Sequence, residues 1–320
     1  MAASGGTKAV VAALCANLTI AVFKFVAWVV TQSSSMLAEA IHSVADSGNQ
    51  VLLLVGGKAA KKQASPEHPF GYGRERYIYS FIVSIVLFSV GGLFALYEAW
   101  HKFKDPHGIE GPWWWVPLAV LIGAIIAETL SFRTAIIESN RVRGDKSWTE
   151  FVRRAKSPEL PVILLEDLGA LLGLVFALIG VTLTLLTGDG LYDALGTAAI
   201  GVLLVIIAVV LAVETRSLLL GESATKEHVA AIEAAIREDG THIIHLKTLH
   251  IGPEELLVAG KITVRPEADG QQIADGINAL EERIREAVPI ARVIYLEPDV
   301  SRTAPQPEEA SSLEGPRPVE

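Results

Sequence analysis

The sequence predicts an α-helical membrane protein: six transmembrane helices followed by a small cytoplasmic α+β domain. Three observations lead there. Hydrophobic side chains make up 51% of 320 residues and mean hydropathy is +0.40, beyond the range of an ordinary soluble chain. Six apolar runs are each long enough to cross a bilayer, which takes roughly 20 helical residues. The texture then changes at Gly221, from unbroken apolar runs to amphipathic and alternating patterns.

The apolar segments fall at about 9–31, 35–60, 77–100, 113–138, 159–186 and 191–214. Lys8 precedes the first without a convincing cleavage site, which predicts a retained helix rather than a removed signal. The single cysteine, Cys15, lies inside it, so no intrachain disulfide or multi-cysteine metal site is available. The links Thr31–Ser35 and Thr187–Gly190 are tight, and the 101–112 link carries few basic residues. Lys58, Lys61, Lys62, Arg74 and Arg76 follow the second segment; Arg133, Arg141, Arg143, Lys146, Arg153, Arg154 and Lys156 follow the fourth. Basic loops stay in the cytoplasm, so both termini are expected there, in a plasma (inner) membrane protein. Trp113, Trp114 and Trp115 suit the outer interface at the start of the fourth helix.

The second segment, SSSMLAEAIHSVADSGNQ at its start, places His42 and Asp46 four residues apart. Residues at that spacing share a helix face, so an imidazole and a carboxylate point the same way at membrane depth. Ionisable groups there are costly and normally face a cavity or an ion, and a nitrogen with an oxygen donor forms half a site for a borderline divalent cation. The fifth segment, SPELPVILLEDLGALLGLVFALIG, adds Glu166 and Asp167. Because neighbours on a helix point about 100° apart, one of them is the ligand and the other carries a proton or accepts a helix contact, unless both bind. Gly169 and Gly173 form a small face for close approach of another helix. Glu39 has a structural or entrance role; Lys24 and Glu128 read as partnered helix-packing charges, with a proton path as the sharper alternative. His68 and Arg74 lie among Pro69, Gly71 and Gly73, which argue first for a shaped turn.

From Glu222 onward there are 19 acidic and 10 basic residues, so the whole net charge of −9 belongs to this part. It excludes a nucleic-acid surface there. The order is helix, two alternating strands, helix and a third strand, an αββαβ sandwich. His242 and His250 share one strand face and His245 the other, and all three read as surface histidines. The division is thus 1–221 transport domain, 222–298 cytoplasmic domain, and 299–320 a disordered acidic, Pro-rich tail.

Over roughly residues 7–298 the chain resembles the cation diffusion facilitator family. The resemblance rests on SSSMLAEAIHSVADSGNQ, on HPFGYGRER at 68–76, on DALGTAAIGVLLVIIA at 193–208, and on LLLGESA. It implies a secondary transporter that exports a divalent cation, commonly zinc, in exchange for protons. It further implies a ferredoxin-like cytoplasmic domain and a homodimer formed through membrane and cytoplasmic domains. His42 and Asp46 match the family's helix-two ligands; in helix five the usual HxxxD or DxxxD is replaced by Glu166 and Ala170, with Asp167 as an extra carboxylate. That Glu-Asp pair resembles a divergent branch, and more oxygen donors would shift preference toward manganese or magnesium. His245 matches a ligand position of the family's small domain, while Tyr295 and Glu297 stand where histidine and aspartate can occur, so regulatory sites there are expected to be weak or missing.

The expected activity is therefore alternating-access antiport of a divalent cation, zinc first, with manganese, cobalt, iron or magnesium as other cargoes, and with no catalytic cofactor. The metal ligands are His42, Asp46, Glu166 and Asp167. An intramembrane metal-dependent hydrolase is the runner-up, against which stand the lack of HExxH and of a nucleophile constellation; a non-transporting metal sensor or scaffold is the third reading. No GxxxxGK[ST] phosphate loop is present.

Overall fold

In the computed structural model, which describes residues 3–109 and 111–300 and side chains from residue 17 onward, the chain divides into two units that part between Leu220 and Gly221. The first is helical. Its elements are α1 (Ala3–Thr31), α2 (Ser34–Ala59), α3 (Glu75–Val86), a π-helical turn (Leu87–Leu93), α4 (Phe94–Lys104), α5 (Val116–Arg143), α6 (Trp148–Arg154), α7 (Glu159–Thr187) and α8 (Leu191–Leu220).

Among the described residues, four stretches are long and apolar enough to cross a membrane: Glu75–Lys104, α5, α7 and α8. Residues 17–31 of α1 form a shorter apolar helix, and α2 falls short because Glu39, His42, Asp46, Asn49 and its serines interrupt its apolar run. The surface of this unit inverts that of a soluble protein. Large apolar groups such as Val22, Phe23, Ile126, Leu130, Ile206 and Val213 face outward, whereas Lys24, Glu39, His42, Asn49 and Asp193 are buried. Such a distribution suits an apolar solvent.

The start of α2 is fixed by a residue distant in sequence. Asp193, fully buried in the first turn of α8, accepts hydrogen bonds from Ser34 N at 2.7 Å, Ser35 N at 3.2 Å and Ser33 Oγ at 2.9 Å. Ser33 Oγ in turn accepts from Met36 N. A carboxylate at a helix N-terminus satisfies orphan N–H groups and complements the helix dipole. α7 packs on α8 where Gly180 meets Gly196; a Cβ on Gly180 would lie 2.9 Å from Tyr192 O. The predicted glycine face splits its duties: Gly169 faces Ile207 of α8, while a Cβ at Gly173 would lie 2.7 Å from Glu39 Oε1 of α2.

Two features were not expected from sequence. The basic link after α5 contains the short helix α6, N-capped by Ser147, whose Oγ accepts from Glu150 N. The third apolar segment carries the π-turn at Gly91 and Gly92, where the chain closes on Leu204 and Val205 of α8.

The second unit runs α9 (Lys226–Arg237), β1 (Ile243–Gly252), β2 (Glu255–Val264), α10 (Gly270–Ala287) and β3 (Ala291–Val300). Its sheet has the order β1-β2-β3 among the described residues, antiparallel between β1 and β2 and parallel between β2 and β3. Leu256, Val258 and Ile262 alternate inward on β2 and join Ile232 and Ile236 of α9 with Leu280 and Ile284 of α10 in one core. Asp269 and Gln272 form a reciprocal capping box on α10. β3 extends two residues beyond 298; the rest of the expected disordered tail, 301–320, lies outside the described residues.

Candidate metal site

His42, Asp46 and Asn49 lie on one face of α2, within an arc of about 60°. His42 Nε2 is 3.4 Å from Asp46 Oδ2, close enough for an ion pair but not aligned as a hydrogen bond. The imidazole is 1% exposed and the Asp46 side chain 15%. Across from this face, Asn49 Nδ2 donates to Glu166 Oε1 of α7 at 2.6 Å, and both residues are buried. His42 Nδ1 and Nε2, Asp46 Oδ1 and Asn49 Oδ1 are buried with no hydrogen-bond partner. Each such atom costs about 1–3 kcal/mol, and this one face of α2 carries four of them.

Glu166 and Asp167 part company, as adjacent helix positions must. Glu166 is buried toward α2, whereas Asp167 turns to α5 and accepts from Ser131 Oγ at 2.9 Å. Among the described residues, no three His, Cys, Asp or Glu side chains already stand close enough together to hold a metal ion. Asn49, which sits two helical turns from His42, engages the Glu166 carboxylate at its own level. Sequence reasoning left Asn49 out; its signal was an amide three residues beyond Asp46 on the polar stripe.

One turn from His42 toward the start of α2, Lys24 Nζ pairs with Glu39 Oε2 at 3.0 Å and donates to Ser43 Oγ at 2.7 Å. Lys24 and Glu39 are fully buried. Glu39 is thus the packing partner of Lys24. The His68 and Tyr72 rings pack at 56° to one another, centroids 4.6 Å apart, in an exposed turn that Gly71 closes at φ 81°.

In the second unit His242 and His245 are exposed, but His250 is 1% exposed, with Nδ1 3.2 Å from Gly252 O, and is not a surface histidine. The pairing of β1 shifts register between Ile243 and His245, and the segment before α9 runs beside the strand, with His250 N donating to Glu222 O at 2.8 Å. Glu297 is engaged by Lys261, whose Nζ is 3.1 Å from Glu297 Oε1 and 2.9 Å from Asp299 Oδ2.

Residues 10–220 match the family model described as the cation efflux transmembrane domain. The mouse protein named proton-coupled zinc antiporter SLC30A9, mitochondrial, is 33% identical over 267 residues, covering 83% of this chain and 46% of its own length. Metal tolerance protein C4 of Arabidopsis thaliana is 27% identical over 276 residues, 83% of this chain and 58% of that protein. Zinc transporter ZitB of Pectobacterium atrosepticum is 28% identical over 130 residues, 40% of this chain and 39% of its own. The chain thus spans about half the length of the antiporter relative.

Proposed function

Because the chain belongs to the cation diffusion facilitator family, we propose that it carries a divalent metal cation, zinc foremost, across a bilayer in exchange for protons. The observation that carries this reading is the row of partnerless buried nitrogen and oxygen atoms on α2, facing Glu166 of α7 inside a bundle whose exterior is apolar. The relatives' printed names, a proton-coupled zinc antiporter and a zinc transporter, support the cargo and the coupling.

In this reading six helices span the membrane: α1, α2, the Glu75–Lys104 stretch, α5, α7 and α8. His42, Asp46 and Glu166 hold the ion, and Asp167, next to Glu166 on α7 but turned to α5, handles the exchanged proton. Metal binding needs a neutral imidazole and ionised carboxylates, so cation and protons compete for the same atoms. Opening the site to one side and then the other converts that competition into antiport. The C-terminal unit is the cytoplasmic, ferredoxin-like domain and helps to form a homodimer. Basic loops after α2 and α5 keep both termini in the cytoplasm of a plasma (inner) membrane protein; the mitochondrial location belongs to the mouse relative. The chain is a carrier and not an enzyme.

Proteoliposomes with a pH gradient test this. Zinc uptake that follows the gradient and is lost in Asp46→Ala is expected. Binding without flux, or full flux in Asp46→Ala, would refute the proposal. Parallel uptake of manganese, cobalt, iron and magnesium ranks the cargoes.

A further inference from the structure

We propose that Asn49 is a latch for Glu166: its amide holds the carboxylate away from His42 and Asp46, and metal capture requires Glu166 to leave it. This rests on the assignment of His42, Asp46 and Glu166 as the ion's ligands.

Three observations carry it. The Asn49 to Glu166 contact is 2.6 Å long and buried, the geometry of a strong bond to a carboxylate. Asn49 lies seven residues after His42, about 10 Å along the helix axis, so it engages Glu166 a turn beyond Asp46. No three candidate ligands converge among the described residues, although two of them, His42 and Asp46, are already together. The latch accounts for that gap.

The chemistry of an amide suits the task. A lysine in its place would put a permanent charge beside an incoming cation and repel it. The amide donates to the carboxylate while remaining neutral, and it has no proton to exchange. Its cost falls on affinity: when a ligand group is held elsewhere for most of the time, apparent metal affinity is reduced by the fraction that is free. The same holding bond favours release, since Glu166 has a partner to return to when the ion leaves. Asn49 is thus a positioning residue that trades tightness for turnover.

Zinc affinity of the full chain in detergent, measured at fixed pH by competition with a chromophoric chelator, tests this together with zinc flux in proteoliposomes. Asn49→Ala is expected to bind zinc about 10-fold tighter, the scale of one charge-assisted hydrogen bond, with lower KM and lower maximal flux. Asn49→Ser, whose hydroxyl is too short to reach Glu166, should do the same and replaces the alanine variant if that one is not monodisperse. In a Glu166→Gln background, which itself binds zinc more weakly, neither substitution should tighten binding. Weaker or unchanged affinity in Asn49→Ala, with Glu166→Gln impaired, would overturn the latch and leave the metal site standing. Unchanged zinc binding in Glu166→Gln would remove the ligand assignment and the latch with it. Tightening that persists without Glu166 would show that Asn49 acts through another group.

Discussion

Lys24 and Glu39 form an ion pair at 3.0 Å between α1 and α2 with neither side chain exposed. Ser43 Oγ accepts a hydrogen bond from the ammonium at 2.7 Å, and Gly173 of α7 leaves room for the carboxylate. Such a pair is weakly stabilising as a whole but costly to halve, because the survivor is a buried, uncompensated charge.

Lys24→Met and Glu39→Gln should therefore each lower stability by about 3–5 kcal/mol, whereas the double substitution recovers much of the loss. Thermal melts of the four proteins in one detergent check this. Additive losses would show that the two residues do not act as a pair.

Asp193→Ala removes the acceptor for two backbone N–H groups and one hydroxyl at the start of α2. A loss of about 2 kcal/mol is expected, with faster amide exchange at Ser34 and Ser35 than elsewhere in α2. Asp193→Asn, which keeps one acceptor oxygen, should fall between.

Gly180→Val would drive a side chain into Tyr192 O and Gly196 and separate α7 from α8. Overpacking of this kind costs about 1–3 kcal/mol, and here it also displaces the helix that carries Glu166. Both melting temperature and zinc affinity should drop; Gly123→Val, at a position with open space, is the control and should leave both unchanged.

Apparent zinc affinity should fall as pH is lowered from about 7.5 to about 5.5, since the imidazole and carboxylates then hold protons in place of the ion. Calorimetry in two buffers of different ionisation enthalpy would register the released protons. A pH-independent affinity would speak against a site made of these groups.

In the second unit, the Thr241 hydroxyl at 2.6 Å, with help from Arg283 at 2.7 Å, holds Asp239 below the usual carboxylate range. A depressed pKa contributes stability above the unfolded value, near pH 4, and that contribution is lost as pH falls through the folded value. Asp239→Asn should cost less than about 1 kcal/mol at neutral pH, since the side chain is half exposed, and the difference from wild type should vanish in acid. Exchange rates of amides around Thr241 would register it.

Much of this molecule was legible residue by residue. Apolar length gave the long helices of the first unit, period-two alternation gave β1 and β2, and the four-residue step from His42 to Asp46 gave one half of the candidate site, because each of these is a local property of the chain. The π-turn and α6 were hidden: Gly91 and Gly92 read as two small residues in an apolar run, and Trp148–Arg154 as part of a basic loop.

Sequence by itself determined that charged and polar groups would lie within apolar helices and that they would need one another. Only tertiary structure decided the pairings: Lys24 with Glu39, Asp193 with the start of α2, Glu166 toward Asn49 and Asp167 toward Ser131. The physical reason is rotational. Successive residues on α7 diverge by about 100°, and which of two neighbouring carboxylates meets α2 depends on how close the helices come, which the glycines of α7 set against α2 and α8.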